Sequence, residues 1–294
     1  MTLDYIFIPL AITAFLAGCG AFVLAYRGRF FLHNLHRRVH LVERDLIQTQ
    51  QQLAAVCRLA TRTAAAANTE LKPPQCHAQH GEELLLWEVA GWKRDGVFIE
   101  IGAHDGVSLS NSLFFEQIGW QGLLIEAHPD LVAQCRISRP GSLVVHAVLG
   151  AQDTGVRNFS MVVGPPGIET LSFASTSTKH LQRIESRGGT VKTVVVPART
   201  ITSVLREHQI SEIDWMSIDV EGGELEVLEG LDWRTCRPHV LMIEDNSRGN
   251  DLRIQDIVTQ HGYQKVCRIG CNDIYRATTP APAGNSNAMG GSVS

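Results

Sequence analysis

The chain of 294 residues has no surplus of positive charge. Lys and Arg number 26 against 30 Asp and Glu, a formal net charge of -4, so no broad basic surface points to nucleic acid as a partner. Cysteine is sparse and scattered, at positions 19, 57, 76, 135, 236, 267 and 271, with no C-x-x-C pair. Cys267 and Cys271 alone lie close, and a single C-x3-C without a second ligand pair does not make a zinc site. Free thiols in a reducing compartment are expected. The chain also lacks the basic start of a secretory signal peptide. The glycine turn at 102–106 lacks both a Lys and the third glycine of G-x-G-x-x-G, so it is poorly suited to a pyrophosphate.

What the amino end does have is an uncharged run over residues 5–26, bounded by Asp4 and by Arg27, Arg29, Arg37 and Arg38. It is long enough to cross a bilayer as a helix, and the basic flank places everything after Arg27 in the cytoplasm. The segment Leu16-Ala17-Gly18-Cys19 resembles a bacterial lipoprotein box, but the apolar run continues past Cys19. We therefore expect a membrane anchor over residues 1–29. In residues 30–63, Leu32, Leu35, Val39, Val42, Leu46, Leu53, Val56 and Ala60 step by three and four, with Thr49 in the gap. This is an a/d seam of about four heptads. It predicts a coiled-coil stalk that pairs two copies of the chain; a single juxtamembrane helix is the other reading. Residues 64–75 lose the seam, and Pro73-Pro74 closes the helix as a linker.

A globular domain is expected over residues 76–277, followed by a polar tail at 278–294 too poor in apolar residues to fold. The domain opens with a helix at 82–93 and an organising stretch at 97–129. There a short apolar run, VFIEI, meets a turn, GAHDG, then an amphipathic stretch, then a second apolar run ending in Glu126. This is the start of a β-α-β unit, with Ser108 or Ser110 as the cap of its helix. Open α/β sheets bind ligands beyond the carboxyl ends of their strands, so Glu100, Asp105 and Glu126 should gather at one crevice. Carboxylates without lysine suit a cationic nucleoside such as S-adenosylmethionine better than a dinucleotide. Further runs predict a helix at 130–138, a strand at 143–148, added strands at 158–163 and 191–196, and core strands at 213–220 and 239–244. A helix at 251–261 and a terminal hairpin around Gly270 complete the series. The Ser-, Thr- and Gly-rich insert at 164–189 reads as a substrate loop or lid.

Two segments resemble one family. FIEIGAHDGVSLSNS, continuing to GWQGLLIEAHP, is similar to the first motif of FkbM-type methyltransferases, and SIDVEGGELEVLEG is similar to their second, I-D-V-E-G-x-E. The resemblance covers roughly residues 82–277. It implies a class I methyltransferase (Rossmann-like) fold, with a seven-stranded sheet whose last strand is antiparallel. It also implies S-adenosylmethionine as cofactor and O-methylation of a hydroxyl on a sugar, glycan or related metabolite. On this reading Glu100 holds the methionine amine, Gly102, Ala103 and Gly106 let backbone approach the cofactor, and Glu126 takes the ribose hydroxyls. Asp105 joins that rim. Asp219 binds the amine or orients the acceptor, and Glu221 faces the acceptor hydroxyl. Glu224 reads as a helix-start acid. His180, in the insert, is taken as the candidate base, with His104 and His128 as alternatives near the adenosine. Asp219, Glu221, Glu244 and Asp245 are of the type that holds Mg²⁺, but spacing alone assigns no metal ligand. The competing expectation is a non-catalytic, membrane-anchored coiled-coil scaffold whose domain binds a nucleotide or partner.

Overall fold

The computed structural model describes residues 75–174, 178–247 and 249–278. The expected anchor and stalk, almost all of the linker and all but the first residue of the tail lie outside the described residues. No helix among the described residues is long and apolar enough to cross a membrane.

In chain order the elements are α1 (Glu82–Val89), β1 (Val97–Ile101), α2 (Leu113–Gln117), β2 (Gln121–Glu126), α3 (Pro129–Ser138), β3 (Ser142–His146) and β4 (Val148–Leu149). Then come β5 (Gly155–Val163), a 3-10 turn (Ile168–Leu171), α4 (Thr178–Ser186), β6 (Thr190–Arg199), α5 (Ile201–Glu207) and β7 (Trp215–Ile218). The chain closes with α6 (Glu224–Glu229), β8 (Val240–Glu244), α7 (Arg253–Gln260), β9 (Tyr263–Ile269) and β10 (Asn272–Ala277).

Seven strands form one sheet in the order β3-β2-β1-β7-β8-β10-β9. β10 is antiparallel to both of its neighbours, and the β3 to β8 pairings are parallel. The chain reverses its direction of travel across the sheet between β1 and β7, the switch point where such sheets open a ligand crevice.

The central strands are apolar at both parities, so the sheet is covered on both faces. Ile99, Ile101, Leu123, Ile125, Met216, Ile218, Leu241 and Ile243 belong to one core. Phe98, Leu124, Trp215, Val240 and Met242 belong to the other, where Trp215 stacks on Phe98 with centroids 5.4 Å apart. This alternation decides where the acids go. Glu100, Glu126, Ser217 and Glu244 share the parity of the second core and stand at the carboxyl ends of their strands. At the opposite end Asp214 ties two strands together, accepting from the Val97 N–H at 2.9 Å and from Lys93 Nζ at 2.5 Å.

Two expectations need correction. The run at 143–148 is not one strand: it leaves the main sheet at Ala147, and Val148–Leu149 pairs instead with β6. That switch starts a second, three-stranded sheet, β4-β6-β5, beside the first. The insert at 164–189 is not a plain loop. It holds the 3-10 turn and the nine-residue α4, whose Ile184 is buried with Val162, Ile168, Leu171 and Phe173 in a small core of its own. Thr200 caps α5, its Oγ1 accepting from the Ser203 N–H at 3.0 Å. The five described cysteines are unbridged.

Candidate active site

A cavity of about 760 Å³ opens at the carboxyl ends of β1, β2, β7 and β8. Glu100, Gly102, Ala103, Asp105, Glu126, Asp219 and Glu221 all lie on its wall. The structure thus brings these residues together at one crevice, including Glu100, Asp105 and Glu126, which were expected to meet there. Gly106 and His180 are not on the wall.

What the individual residues do differs in several cases from the expectation. Asp105 spends both oxygens on its own turn: Oδ1 accepts from the Val107 and Ser108 N–H groups at 2.8 and 2.7 Å, and Oδ2 from Ser108 Oγ at 2.7 Å. Ser108 therefore serves the turn and does not cap α2. Nor is Ser110 the N-cap residue: that position is held by Ser112, without a side-chain cap bond, while Ser110 Oγ accepts from the Ser112 and Leu113 N–H groups at 3.2 and 3.1 Å. Glu100 is buried and likewise engaged, with Oε1 taking the Asn111 N–H at 2.8 Å and Oε2 the hydroxyls of Ser112 and Ser110 at 2.6 and 3.1 Å. Burial pushes its carboxyl up, and the nearby Arg139 opposes that shift. Glu100 thus clamps the 110–112 loop that walls the cavity.

The two glycines make room chiefly for the protein itself. Gly102 has φ +86°, and a Cβ there would overlap the Asp219 carbonyl oxygen. Gly106 has φ +80°, and a Cβ there would sit 2.6 Å from Arg139 Cγ and 2.9 Å from Cys135 Sγ on α3. Gly102→Ala should destabilise the fold by on the order of 3 kcal/mol, combining the left-handed backbone penalty with overpacking between the ends of β1 and β7. Chemical denaturation measures it, and a cost below about 1 kcal/mol would contradict this packing.

Glu126 is poised differently. Its Oε1 accepts from the His128 N–H at 2.7 Å and its Oε2 from the His104 N–H at 2.8 Å. Each oxygen keeps an acceptor site, which suits a vicinal diol. His128 is the N-cap of α3, its Nδ1 accepting from the Asp130 N–H at 3.3 Å. His104, at φ +53°, lines the cavity with both ring nitrogens free of hydrogen bonds among the described residues. Its ring is 3.5 Å from Asp105 and 3.7 Å from Glu169.

The second acidic group lies at the ends of β7 and β8. Asp219 and Glu244 stand close to one another, and burial pushes both carboxyls up, Glu244 further. Glu244 Oε2 and Ser217 Oγ are buried on the cavity wall with no hydrogen-bond partner among the described residues. Glu224 folds the motif onto itself, its Oε1 accepting from the Val220 and Gly222 N–H groups at 3.2 and 2.9 Å, as befits a helix-start acid. That closure holds Glu221 at φ +54°, a costly conformation for a residue with a side chain. Burial, with the Asp219 charge adding to it, pushes the Glu221 carboxyl up to about 7. His180 stands behind it: its Nδ1 is 3.7 Å from Glu221 Oε2, and its Nε2 is 2.9 Å from the Leu171 carbonyl oxygen. His180 lies off the cavity wall and meets it at Glu221.

Among the described residues no group of three or more His, Cys, Asp or Glu has the geometry to hold a metal ion. Asp245, one of the acids considered for Mg²⁺, instead accepts from the Ser247 and Gly249 N–H groups and pairs with Arg268 at 2.9 Å.

A seven-stranded sheet of this order and direction, with a carboxylate-rimmed cavity at its switch point, defines a class I methyltransferase-like protein. The family model described as methyltransferase FkbM domain matches residues 100–265, more than half of the chain. The chain belongs to that family: it is an S-adenosylmethionine-dependent methyltransferase. A search of curated proteins gives no match. Solved structures similar to it include a TehB-like SAM-dependent methyltransferase from Corynebacterium glutamicum, at 11% identity and a TM-score of 0.36, covering 77% of this chain and 98% of that one. Another is a SAM-dependent methyltransferase from Aquifex aeolicus, at 12% identity and a TM-score of 0.36, covering 66% of this chain and 88% of that one. Likenesses of that size assign neither site nor substrate.

The cavity fits the cofactor on its own chemistry. Glu126 offers two acceptors for the ribose, and the unpartnered Ser217 Oγ and Glu244 Oε2 offer polar atoms for the amino-acid end.

The sequence reading missed Arg139. It is fully buried under the 106–110 turn, bonded to Glu116, the Gly106 carbonyl and Ser110. Its place before Pro140 marks a helix end, but nothing in the sequence marks it as internal. Ser217 was also missed, although its alternation with Trp215 and Asp219 on one parity was there to be read.

Proposed function

We infer that the protein methylates a hydroxyl group of a sugar, glycan or related metabolite at the cytoplasmic face of a membrane. The observation that carries the reading is the placement of Glu221 on the cavity wall, beside Asp219 and backed by His180. S-adenosylmethionine, when bound, supplies an electrophilic methyl group on a sulfonium. Because the donor is already activated, the chain's main task is alignment. Glu126 anchors the ribose, and Asp219, Ser217 and Glu244 meet the amino-acid end. Glu221, once ionised, accepts the proton of the acceptor hydroxyl, and His180 steadies its carboxylate from behind. A weak base suffices for a proton that leaves late.

The span at 5–26 and the seam at 30–63 support a single-pass anchor and a parallel dimer. Both agree with a cytoplasmic supply of the cofactor, and an anchored enzyme would meet its acceptor at the membrane. Incubating the full-length protein with methyl-labelled S-adenosylmethionine and native membranes tests the activity. Label in a base-stable ether supports O-methylation, whereas label confined to base-labile esters or to protein would overturn it.

The raised Glu221 carboxyl sets a pH dependence. Methyl transfer should fall as pH drops through about 7, because the base is then protonated. Stability should move the other way. The folded state holds a proton that the unfolded chain gives up above its ordinary value of 4.5, so stability declines between about 4.5 and 7 and is level above. Glu221→Gln should remove the inflection in activity and lessen the decline in stability, to which the raised Asp219 and Glu244 carboxyls also contribute. A pH–rate profile flat between about 6 and 8, each about a unit from the expected midpoint, would discard the assignment of this base.

A further inference from the structure

The charged groups of the cavity wall are partly sorted by sign, with Glu169 of the 3-10 turn an acid on the inserted side. The strand ends of the main sheet contribute carboxylates. The guanidinium groups come from the inserted segments: Arg157 on β5, Arg183 on α4 and Arg187 just beyond it. Arg157 is spoken for, paired with Glu226 at 2.5 and 3.4 Å. Arg183 reaches Glu221 only at 3.5 Å and remains 43% exposed. The Arg187 guanidinium has no hydrogen bond or ion pair among the described residues. The backbone continues the helical turn as far as Arg187, whose N–H donates to the Ile184 carbonyl at 3.1 Å. Two guanidinium groups four positions apart on one such turn repel each other, and Glu221, whose carboxyl both act on, carries at most one charge to set against the two.

We propose that the methyl acceptor carries an oxyanion, a carboxylate or a phosphate, and that Arg183 and Arg187 bind it. This rests on the hydroxyl-methylating reading above and narrows its substrate class. Guanidinium forks suit planar carboxylate and tetrahedral phosphate oxygens better than any other side chain. The acidic rim repels an anion from the cofactor half of the cavity, so the same charge separation fixes the direction in which an acceptor enters. Arg183 also touches Glu221. An acceptor held by its oxyanion against Arg183 therefore has its neighbouring hydroxyls within reach of the base. The added sheet and α4 then form the part of the fold that selects the substrate.

Calorimetric titration of the full-length protein, with and without saturating S-adenosylhomocysteine, tests this with glucuronate, glucose 6-phosphate and glucose as probes. At least one of the two anionic sugars should bind about tenfold or more tightly than glucose, the effect of one or two charge-assisted hydrogen bonds. Preference for glucuronate identifies the oxyanion as a carboxylate, and preference for glucose 6-phosphate as a phosphate. The Arg183→Gln/Arg187→Gln double variant should lose that preference while binding S-adenosylhomocysteine like the wild type. If the double variant folds poorly, Arg187→Gln alone, which alters an exposed side chain, should lose a measurable part. Anionic probes that bind no better than glucose, or that keep their preference in the variants, overturn the proposal. Failure of S-adenosylhomocysteine to bind would instead count against the cofactor site, and the charge preference could still be read without it.

Discussion

Glu221→Gln lowers methyl transfer by about 10²–10⁴-fold, the usual contribution of a positioned general base. The substitution keeps the size and polarity of the side chain and removes only its ability to take a proton. Cofactor affinity should stay within about twofold, because Glu126, Ser217 and Glu244 are untouched. The loss should fall on kcat, since the proton moves only as the new bond forms. His180→Ala should cost less, about tenfold, because that ring lies off the cavity wall and meets it at Glu221, at 3.7 Å. The readout is label from methyl-labelled S-adenosylmethionine transferred to native membranes, with S-adenosylhomocysteine binding measured in parallel. A Glu221→Gln protein with full activity would leave the carboxylate as no more than a charge near the start of α6. Loss of cofactor affinity in step with activity would move Glu221 to the cofactor side of the cavity.

The main sheet was legible because its strands are short, apolar at both parities and end in acids. VFIEI, GLLIE and WMSID each announce a strand and its carboxyl end at once, and their registers follow from the parallel pairing. With Ile101 opposite both Ile125 and Ile218, Glu126 and Asp219 must come to the same edge. What the sequence did not show was how each carboxylate is spent. Asp105 and Glu126 look alike as acids beside a glycine turn, yet one closes its own loop and the other is left with acceptor sites. The difference lies in which backbone N–H groups the fold brings within about 3 Å. The glycines carry the same lesson. Gly102 was read as room for a ligand, but its closest neighbour is the Asp219 carbonyl. The insert misled for a different reason. Its Ser, Thr and Gly content resembles a loop, and α4 is helical because Ile184 docks into a pocket that the 3-10 turn and β5 complete. Such tertiary burial overrides local propensity.

Arg139→Ala should cost about 3–5 kcal/mol of stability, the penalty for stripping the partner from a buried charge. The guanidinium is fully buried. Its Nε donates to Glu116 Oε2 at 2.8 Å, and its Nη1 donates to the Gly106 carbonyl at 3.0 Å and Ser110 Oγ at 3.3 Å. The carboxylate of Glu100 lies 4.0 Å from Nη1, and the ring of Phe98 lies under the cation at 5.7 Å. One side chain therefore balances the charges of Glu100 and Glu116 and holds the turn from Gly106 to Ser110. For a domain of this size the loss corresponds to a fall of roughly 6–20 °C in Tm. Arg139→Lys should recover only part of it, since a single ammonium cannot serve Glu116 and Gly106 together. Adding Glu100→Gln to Arg139→Ala separates charge from shape. If the cost is an uncompensated buried carboxylate, the double variant should be more stable than the sum of the singles predicts. Strict additivity would mean that Arg139 matters as a packed side chain, and Glu100 would then hold the 110–112 loop without its help.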